Sequence, residues 1–207
     1  MLKIKVCGLK YNILEISKLE IDFMGFIFYP RSPRFIGYNL NLFLPQINKL
    51  KVGVFVNENE QTILNKSKEH KLDIIQLHGD ESPILCEKLA KNNMTLIKVF
   101  HINNSFSFKK TKDYVSLCNY FLFDTKTKYY GGSGKKFVWN KLYDYDLCTY
   151  FFLSGGIIMQ DIMQITNIFH SHPKMFGIDI NSGFEEFPGQ KNCALIKHFV
   201  KKIKKYK

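Results

Sequence analysis

The side chains suited to chemistry cluster at a few places in this sequence: Cys7, the stretch Pro30-Arg31-Ser32-Pro33-Arg34, the pair Gln76 and His78, Asp124, and Asp179. Cysteine, histidine and aspartate can each give or take a proton when their surroundings tune them. The arginines are informative through scarcity. Lysine and arginine together number 30, and the only two arginines are Arg31 and Arg34. Arginine offers a planar fork that holds a carboxylate or phosphate through parallel hydrogen bonds, which lysine cannot copy. Small residues gather at three further places: Gly131-Gly132-Ser133-Gly134, Ser154-Gly155-Gly156, and Asn181-Ser182-Gly183. Such segments leave backbone N–H groups open to a phosphate.

These residues need a frame that brings them together. Short apolar runs occur at 4–7, 23–28, 52–56, 74–77, 95–100, 120–123, 150–153 and 175–180. Amphipathic or helix-length stretches separate them, at 11–19, 58–70, 82–91, 137–145, 158–170 and 191–205, with a weaker pattern over 103–116. Runs that are apolar on both faces and alternate with helices indicate parallel strands buried between layers. Eight of them within 207 residues predict one α/β domain spanning 1–207, a single (β/α)₈ TIM barrel. The absence of GxGxxG after the first run argues against a dinucleotide-binding open sheet. In such a barrel the active site lies at the strand C-terminal ends, and phosphate commonly sits at the loops after strands seven and eight. Cys7, His78, Asp124 and Asp179 all fall at or near strand ends, and so do the glycine clusters. Gly132, Gly155, Gly156, Asn181 and Ser182 are the expected phosphate-binding positions.

Composition narrows the function classes. The net charge of +12 comes from lysines dispersed along the chain rather than from a stripe, which argues against a nucleic-acid partner. No segment approaches the roughly 18 consecutive apolar residues of a membrane span, and lysines interrupt the first apolar run before a signal-peptide core can form. A cytoplasmic protein with no membrane partner is expected. The five cysteines are scattered, with no CxxC pair, so their spacing suggests neither disulfides nor a zinc site, and no metal is expected. The lysine-rich end, 201–207, reads as the solvated face of a closing helix.

The wording of the sequence resembles a known family. Lys5-Val6-Cys7-Gly8, the run Gly25-Phe26-Ile27-Phe28-Tyr29-Pro30-Arg31-Ser32-Pro33-Arg34, Gly53-Val54-Phe55-Val56-Asn57 and Gln76-Leu77-His78-Gly79 are similar to segments of the phosphoribosylanthranilate isomerases. So are Phe123-Asp124-Thr125, Gly131-Gly132-Ser133-Gly134, Leu153-Ser154-Gly155-Gly156 and Gly177-Ile178-Asp179-Ile180-Asn181-Ser182-Gly183, in unbroken order. The resemblance implies an Amadori rearrangement in tryptophan biosynthesis. N-(5-phosphoribosyl)anthranilate becomes 1-(2-carboxyphenylamino)-1-deoxyribulose 5-phosphate, without a cofactor.

The resemblance also implies roles. Cys7 matches the general base and Asp124 the general acid; Arg34 matches a clamp for the anthranilate carboxylate. Gln76, His78 and Asp179 become candidates for substrate contacts. An acid of this kind needs a raised pKa, which burial at the barrel mouth would supply. A thiol of ordinary pKa about 8.5 needs only modest positive potential to yield thiolate. Lys5 is not expected to provide it, since it lies two residues deeper on the same face as Cys7.

The chain departs from the family wording at Asn181, where many members carry serine, and at Phe137-Val138-Trp139, which replaces a more common Phe-Asp-Trp. The partner is expected to be the small phosphosugar-anthranilate substrate, met by a monomer or homodimer. Rival readings are another phosphosugar barrel, namely a histidine-pathway aminoaldose-ketose isomerase or an indole-glycerol-phosphate synthase, and a non-catalytic basic nucleic-acid-binding protein. The first rival would pair two aspartates, whereas strand one here ends in cysteine. The second would place a lysine and a glutamate at the mouth.

Overall fold

Alternation of side chains along eight short strands decides what this protein puts inside and what it puts outside. The computed structural model describes residues 1–37, 48–125 and 136–205. The strands are β1 (Lys3–Val6), β2 (Phe23–Ile27), β3 (Leu50–Phe55), β4 (Ile74–Leu77), β5 (Thr95–Ile102), β6 (Tyr120–Thr125), β7 (Tyr150–Leu153) and β8 (Met175–Ile180). All neighbours pair in parallel and in chain order, and β8 returns to β1, closing the barrel. Helices α1 (Ile13–Ser17), α2 (Glu60–His70), α3 (Pro83–Lys91), α4 (Ile162–Ser171) and α5 (Cys193–Ile203) pack around it. Among the described residues no helix is long and apolar enough to cross a membrane.

Inward positions of β2 through β7 form an apolar plug of Phe23, Val52, Ile74, Ile97, Val99, Leu122 and Phe152. Outward positions such as Ile4, Phe26, Phe121 and Ile178 pack with helix residues Leu89, Ile165 and Phe199 in the larger outer core. Phe152 is fully buried against the edge of Phe23, so truncating it to alanine would cost about 3–5 kcal/mol. One step further along the same inward faces the plug gives way to polar groups: Lys5 and Cys7 on the first strand, Gln76 and His78 on the fourth, Asp124 on the sixth. Period two thus carries the core pattern directly into the barrel mouth.

The helical connections differ from the periodicity in instructive ways. Segments 103–116 and 137–145 contain 3₁₀ turns, Phe108–Tyr114 and Trp139–Asp144, rather than α-helices. Their buried residues are Phe108 with Thr111 and Trp139 with Leu142, a spacing of three that suits three residues per turn. The final helix begins at Cys193, because a short antiparallel ribbon intervenes, β9 (Glu185–Phe187) with β10 (Gln190–Lys191). Gly189 turns between them at φ 92°. Asn192 then caps α5, its side chain accepting from the Leu195 N–H at 2.8 Å, as asparagine does at such positions.

The turn after β4 is held with particular care. Glu81 accepts from the N–H groups of Gly79 (2.9 and 3.0 Å) and Asn57 (2.9 Å). Buried Lys98 donates to Glu81 Oε2 at 2.9 Å and to the Gly79 carbonyl at 2.7 Å. An ion pair this deep stabilises only if its remaining hydrogen-bond capacity is filled, and here it is. The consequence is a fixed position for His78, whose own N–H bonds the Phe55 carbonyl at 2.8 Å.

Candidate active site

Cys7 follows β1, buried, with its N–H bonded to the Ile180 carbonyl of β8 at 2.9 Å. Its thiol lies against Gly25 of β2: a Cβ there would stand 2.8 Å from Sγ and 3.0 Å from the Cys7 Cα. Glycine is therefore required for space, not for its dihedrals. Two residues deeper, Lys5 is fully buried, and the register of β1 on β8 sets it opposite Asp179. Lys5 Nζ and Asp179 Oδ1 are 2.9 Å apart, off the line of a hydrogen bond, so both atoms keep hydrogen-bonding capacity to spare.

The expectation that Lys5 does not obviously help Cys7 is corrected by this geometry. Burial pushes the thiol up, Lys5 is the largest influence pulling it down, and Lys191 pulls the same way. Burial wins, so the thiol stands above its ordinary range; the idea that modest positive potential suffices to free a thiolate is corrected too. Lys5 feels burial downward, but Asp179 and Cys7 outweigh it and hold the ammonium above the ordinary lysine value. Asp179 is raised, chiefly by burial.

Across the mouth, His78 Nε2 lies 3.5 Å from Asp124 Oδ2. Gln76, wholly buried, sets its amide nitrogen 3.0 Å from His78 Nδ1. The neighbouring strand adds His101, whose Cα pairs with that of Asp124 and whose ring meets His78 edge-on at 5.2 Å. The other carboxylate oxygen of Asp124 accepts from the Thr125 N–H at 2.8 Å. Burial does push Asp124 up, as expected, but His78, His101 and the Thr125 N–H together hold it below the usual carboxylate range. The expected net rise is therefore corrected: where a proton is held here, it is a property of the imidazole–carboxylate group rather than of Asp124 alone.

The two arginines separate. Arg31 is exposed and Arg34 buried. Arg34 Nε donates to both oxygens of Glu185 (2.9 and 3.0 Å) and Nη2 donates to Oε2 at 2.6 Å. One edge of the guanidinium is thereby fixed, and the Nη1 edge is the one left to meet a ligand. Lys191, also buried, donates to Glu185 Oε1 and to Asn181 Oδ1, each at 2.7 Å. Burial and Arg34 pull Glu185 in opposite directions, and with Lys191 the cations win, holding it below its ordinary value. Gly8, at φ 71°, lets this group approach the first strand; a Cβ there would meet Arg34 Cδ at 2.6 Å and Asn181 Oδ1 at 2.7 Å. The side chain of Asn181 is thus committed to Lys191, leaving its backbone for any anion.

After β7, Gly155 and Gly156 take left-handed conformations at φ 93° and 64°. A side chain at Gly155 would collide with Thr125 and come within 2.9 Å of Asp124 Oδ1. Ser182 and Gly183 open a 3₁₀ turn after β8, and Gly183 packs on the Ile157 carbonyl so closely that a Cβ could not fit. The loops after β7 and β8 therefore share one surface. Gly132 lies outside the described residues. Sequence pattern does not single out Gly25, His101, Glu185 or Lys191 and discounts Lys5, yet all five line the candidate site. A buried lysine needs a carboxylate at its own level, and Asp179 opposite Lys5 is the signal that would have revealed that pair.

The chain and its barrel are similar to known proteins. The family model for N-(5'-phosphoribosyl)anthranilate isomerase matches residues 3–202. The chain is 44% identical to that isomerase from Parabacteroides distasonis, covering 97% of this chain and 92% of the relative. The crystal structure of the enzyme from Thermotoga maritima superposes with a TM-score of 0.83 at 33% identity, covering 99% of this chain and 100% of the other. Another, in complex with reduced 1-(o-carboxyphenylamino)-1-deoxyribulose 5-phosphate, superposes with a TM-score of 0.82 at 31% identity over 99% and 100% of the two chains. Closed barrel, strand-end residues and whole-length similarity together establish that this chain belongs to the phosphoribosylanthranilate isomerase family.

Proposed function

We propose that the chain converts N-(5-phosphoribosyl)anthranilate into 1-(2-carboxyphenylamino)-1-deoxyribulose 5-phosphate, with Asp124 as acid and Cys7 as base. The observation that carries the reading is the opposition of two buried proton-handling groups, Cys7 over Gly25 and Asp124 beside His78, across a mouth rimmed by Arg34 and the left-handed glycines.

Asp124 gives its proton to the ribose ring oxygen as the bond from C1 to that oxygen breaks, leaving a protonated Schiff base with the anthranilate nitrogen. The thiolate of Cys7 then removes the C2 proton. The electron pair of that C–H bond neutralises the iminium, the enolamine forms, and tautomerisation yields the ketone. The substrate's phosphate, taken beside Gly155, brings negative charge near Asp124, which raises its affinity for the proton it must deliver. His78 completes the acid by orienting the carboxylate.

Lys5 stabilises the thiolate side of the Cys7 equilibrium. Arg34 takes the anthranilate carboxylate with the edge that Glu185 leaves open. Gln76 and Asp179 face the sugar hydroxyls. Backbone N–H groups at Gly155, Gly156, Asn181 and Ser182 take the phosphate, and Gly132 is assigned to the same role from the sequence alone. The partner is this small molecule, met by a monomer or a homodimer; the Thermotoga maritima enzyme is described as dimeric.

The gene should restore growth without tryptophan to a host that lacks this isomerase. Purified protein should consume the fluorescent anthranilate substrate, and Asp124→Asn and Cys7→Ser should each lose about 10²–10⁴-fold in kcat while staying folded. Turnover near wild type in either variant would overturn the assignment of acid and base.

A further inference from the structure

The polar rim holds a donor set beyond what proton transfer requires. One ligand atom each from His78, His101 and Asp124 lies within 4.8 Å of the other two. Two imidazoles and a carboxylate are donors that zinc and similar first-row ions accept, whereas calcium and magnesium prefer oxygen alone. The spacing fits. Bonds of about 2.0–2.1 Å at tetrahedral angles place neighbouring ligand atoms roughly 3.3 Å apart, and His78 Nε2 stands 3.5 Å from Asp124 Oδ2. That separation is long for a hydrogen bond and close to the span of two ligands on one ion.

The outer contacts fit as well, since ligating imidazoles are usually oriented by a second hydrogen bond. His101 Nε2 lies 3.1 Å from the His78 carbonyl, and His78 Nδ1 lies 3.0 Å from the Gln76 amide. Gln76 Oε1 is buried without a hydrogen-bond partner. Turning that amide over presents the oxygen to a proton on His78 Nδ1, which frees the Nε2 lone pair toward Asp124. His78 follows a turn clamped by Glu81 and Lys98, and His101 and Asp124 lie in paired strands, so the three ligands are held on rigid elements.

We propose that His78, His101 and Asp124 bind a zinc-class divalent cation at the barrel mouth, and that the bound ion inhibits the enzyme by occupying the oxygen from which Asp124 delivers its proton. Binding follows from the cluster itself; inhibition rests on the reading of Asp124 as the acid.

The test titrates the metal-free full-length protein with Co²⁺ and follows the visible absorption, then displaces the ion with Zn²⁺. The expected result is saturation at one equivalent, a spectrum of low coordination number, and no thiolate charge-transfer band in the near ultraviolet. His101→Ala and His78→Ala should each weaken binding at least about tenfold, since loss of an outer-shell partner alone costs that much. Circular dichroism serves as the check on folding. No saturable binding at micromolar Co²⁺, unchanged affinity in His101→Ala, or a thiolate band placing the ion on cysteine would each overturn the site. Zn²⁺ should also suppress wild-type turnover, reversibly with chelator, while the turnover left in His101→Ala does not respond to the same Zn²⁺ concentration. Binding without inhibition would overturn the second half of the proposal alone, and a protein that binds Co²⁺ but shows no turnover in metal-free buffer would instead refute the isomerase reading.

Discussion

Replacing Arg34 by lysine tests the carboxylate clamp most directly. In the wild type Glu185 fixes the Nε–Nη2 edge through three contacts of 2.6–3.0 Å, so the remaining edge can meet the anthranilate carboxylate without searching for its orientation. A lysine keeps the charge and loses the fork. Glu185 remains compensated, because Lys191 still donates to it at 2.7 Å and the Gly189 N–H at 3.1 Å; the variant should therefore fold. Losing one charge-assisted hydrogen bond of a bidentate pair costs about 1.5–3 kcal/mol, which is roughly 10- to 150-fold in affinity. The carboxylate lies away from the reacting C1 and C2, so the interaction is made equally in the ground and transition states and the loss should appear in KM with kcat little changed. Steady-state decay of anthranilate fluorescence measures both constants. A substrate analogue built on aniline, without the carboxylate, supplies the second arm: wild type should discriminate against it, and Arg34→Lys should treat the two compounds nearly alike. A KM within about threefold of wild type, less than 0.7 kcal/mol, or undiminished discrimination in the variant, would refute the clamp.

Gly25→Ala drives a methyl group against Cys7 Sγ and against its Cα, and the backbone atom cannot rotate away. Overpacking of this kind costs about 1–3 kcal/mol, read by thermal unfolding, and kcat should fall more than KM rises; an unaltered kcat would show that the placement of the thiol is not critical. Because burial holds Cys7 above the ordinary thiol value of about 8.5, kcat/KM should still climb through mildly alkaline pH. Lys5→Met combined with Asp179→Asn, which leaves no lone buried charge, should move that climb upward, and a plateau by neutral pH in the double variant would contradict the role given to Lys5. Glu185 is depressed in the folded state, so its contribution to stability is complete above the unfolded glutamate value of about 4.3 and disappears as pH falls through the folded value. Glu185→Gln strands Arg34 and Lys191 and should cost about 3–5 kcal/mol at neutral pH, a gap between melting curves that narrows on acidification; a gap independent of pH would argue against the ion-pair account.

The barrel was legible because parallel strands covered on both faces read as short apolar runs, and eight such runs stand in order along the chain. Cys7, His78, Asp124 and Asp179 were legible because each lies at or near the end of its run. Arg34 was legible through its rarity, and burial then distinguished it from Arg31. What stayed hidden depends on pairing across the barrel. Lys5 looks like an interruption of an apolar run until β8 places Asp179 beside it. Glu185, 151 positions from Arg34, sits in a ribbon whose two strands are too short to show a period. His101 lies just past the expected end of its strand, before the segment of weak pattern, yet pairs with Asp124. The protonation tendencies of Cys7 and Asp124 were misjudged for the same reason: burial can be guessed from a sequence, whereas the balance between burial and neighbouring charges requires knowing who the neighbours are.

The pairing of β1 with β8 also has a consequence for how the protein is made. The first of the eight barrel strands to be synthesised carries Lys5 and leads into the proposed base, and the strand that neutralises Lys5 is the last of the eight. Until β8 arrives, burying that ammonium costs several kcal/mol with nothing to offset it, so the nascent barrel has reason to stay open at this seam and Cys7 lacks the surroundings that tune it. Closure and competence then come in a single late event, and a chain interrupted before residue 179 has no path to the finished site.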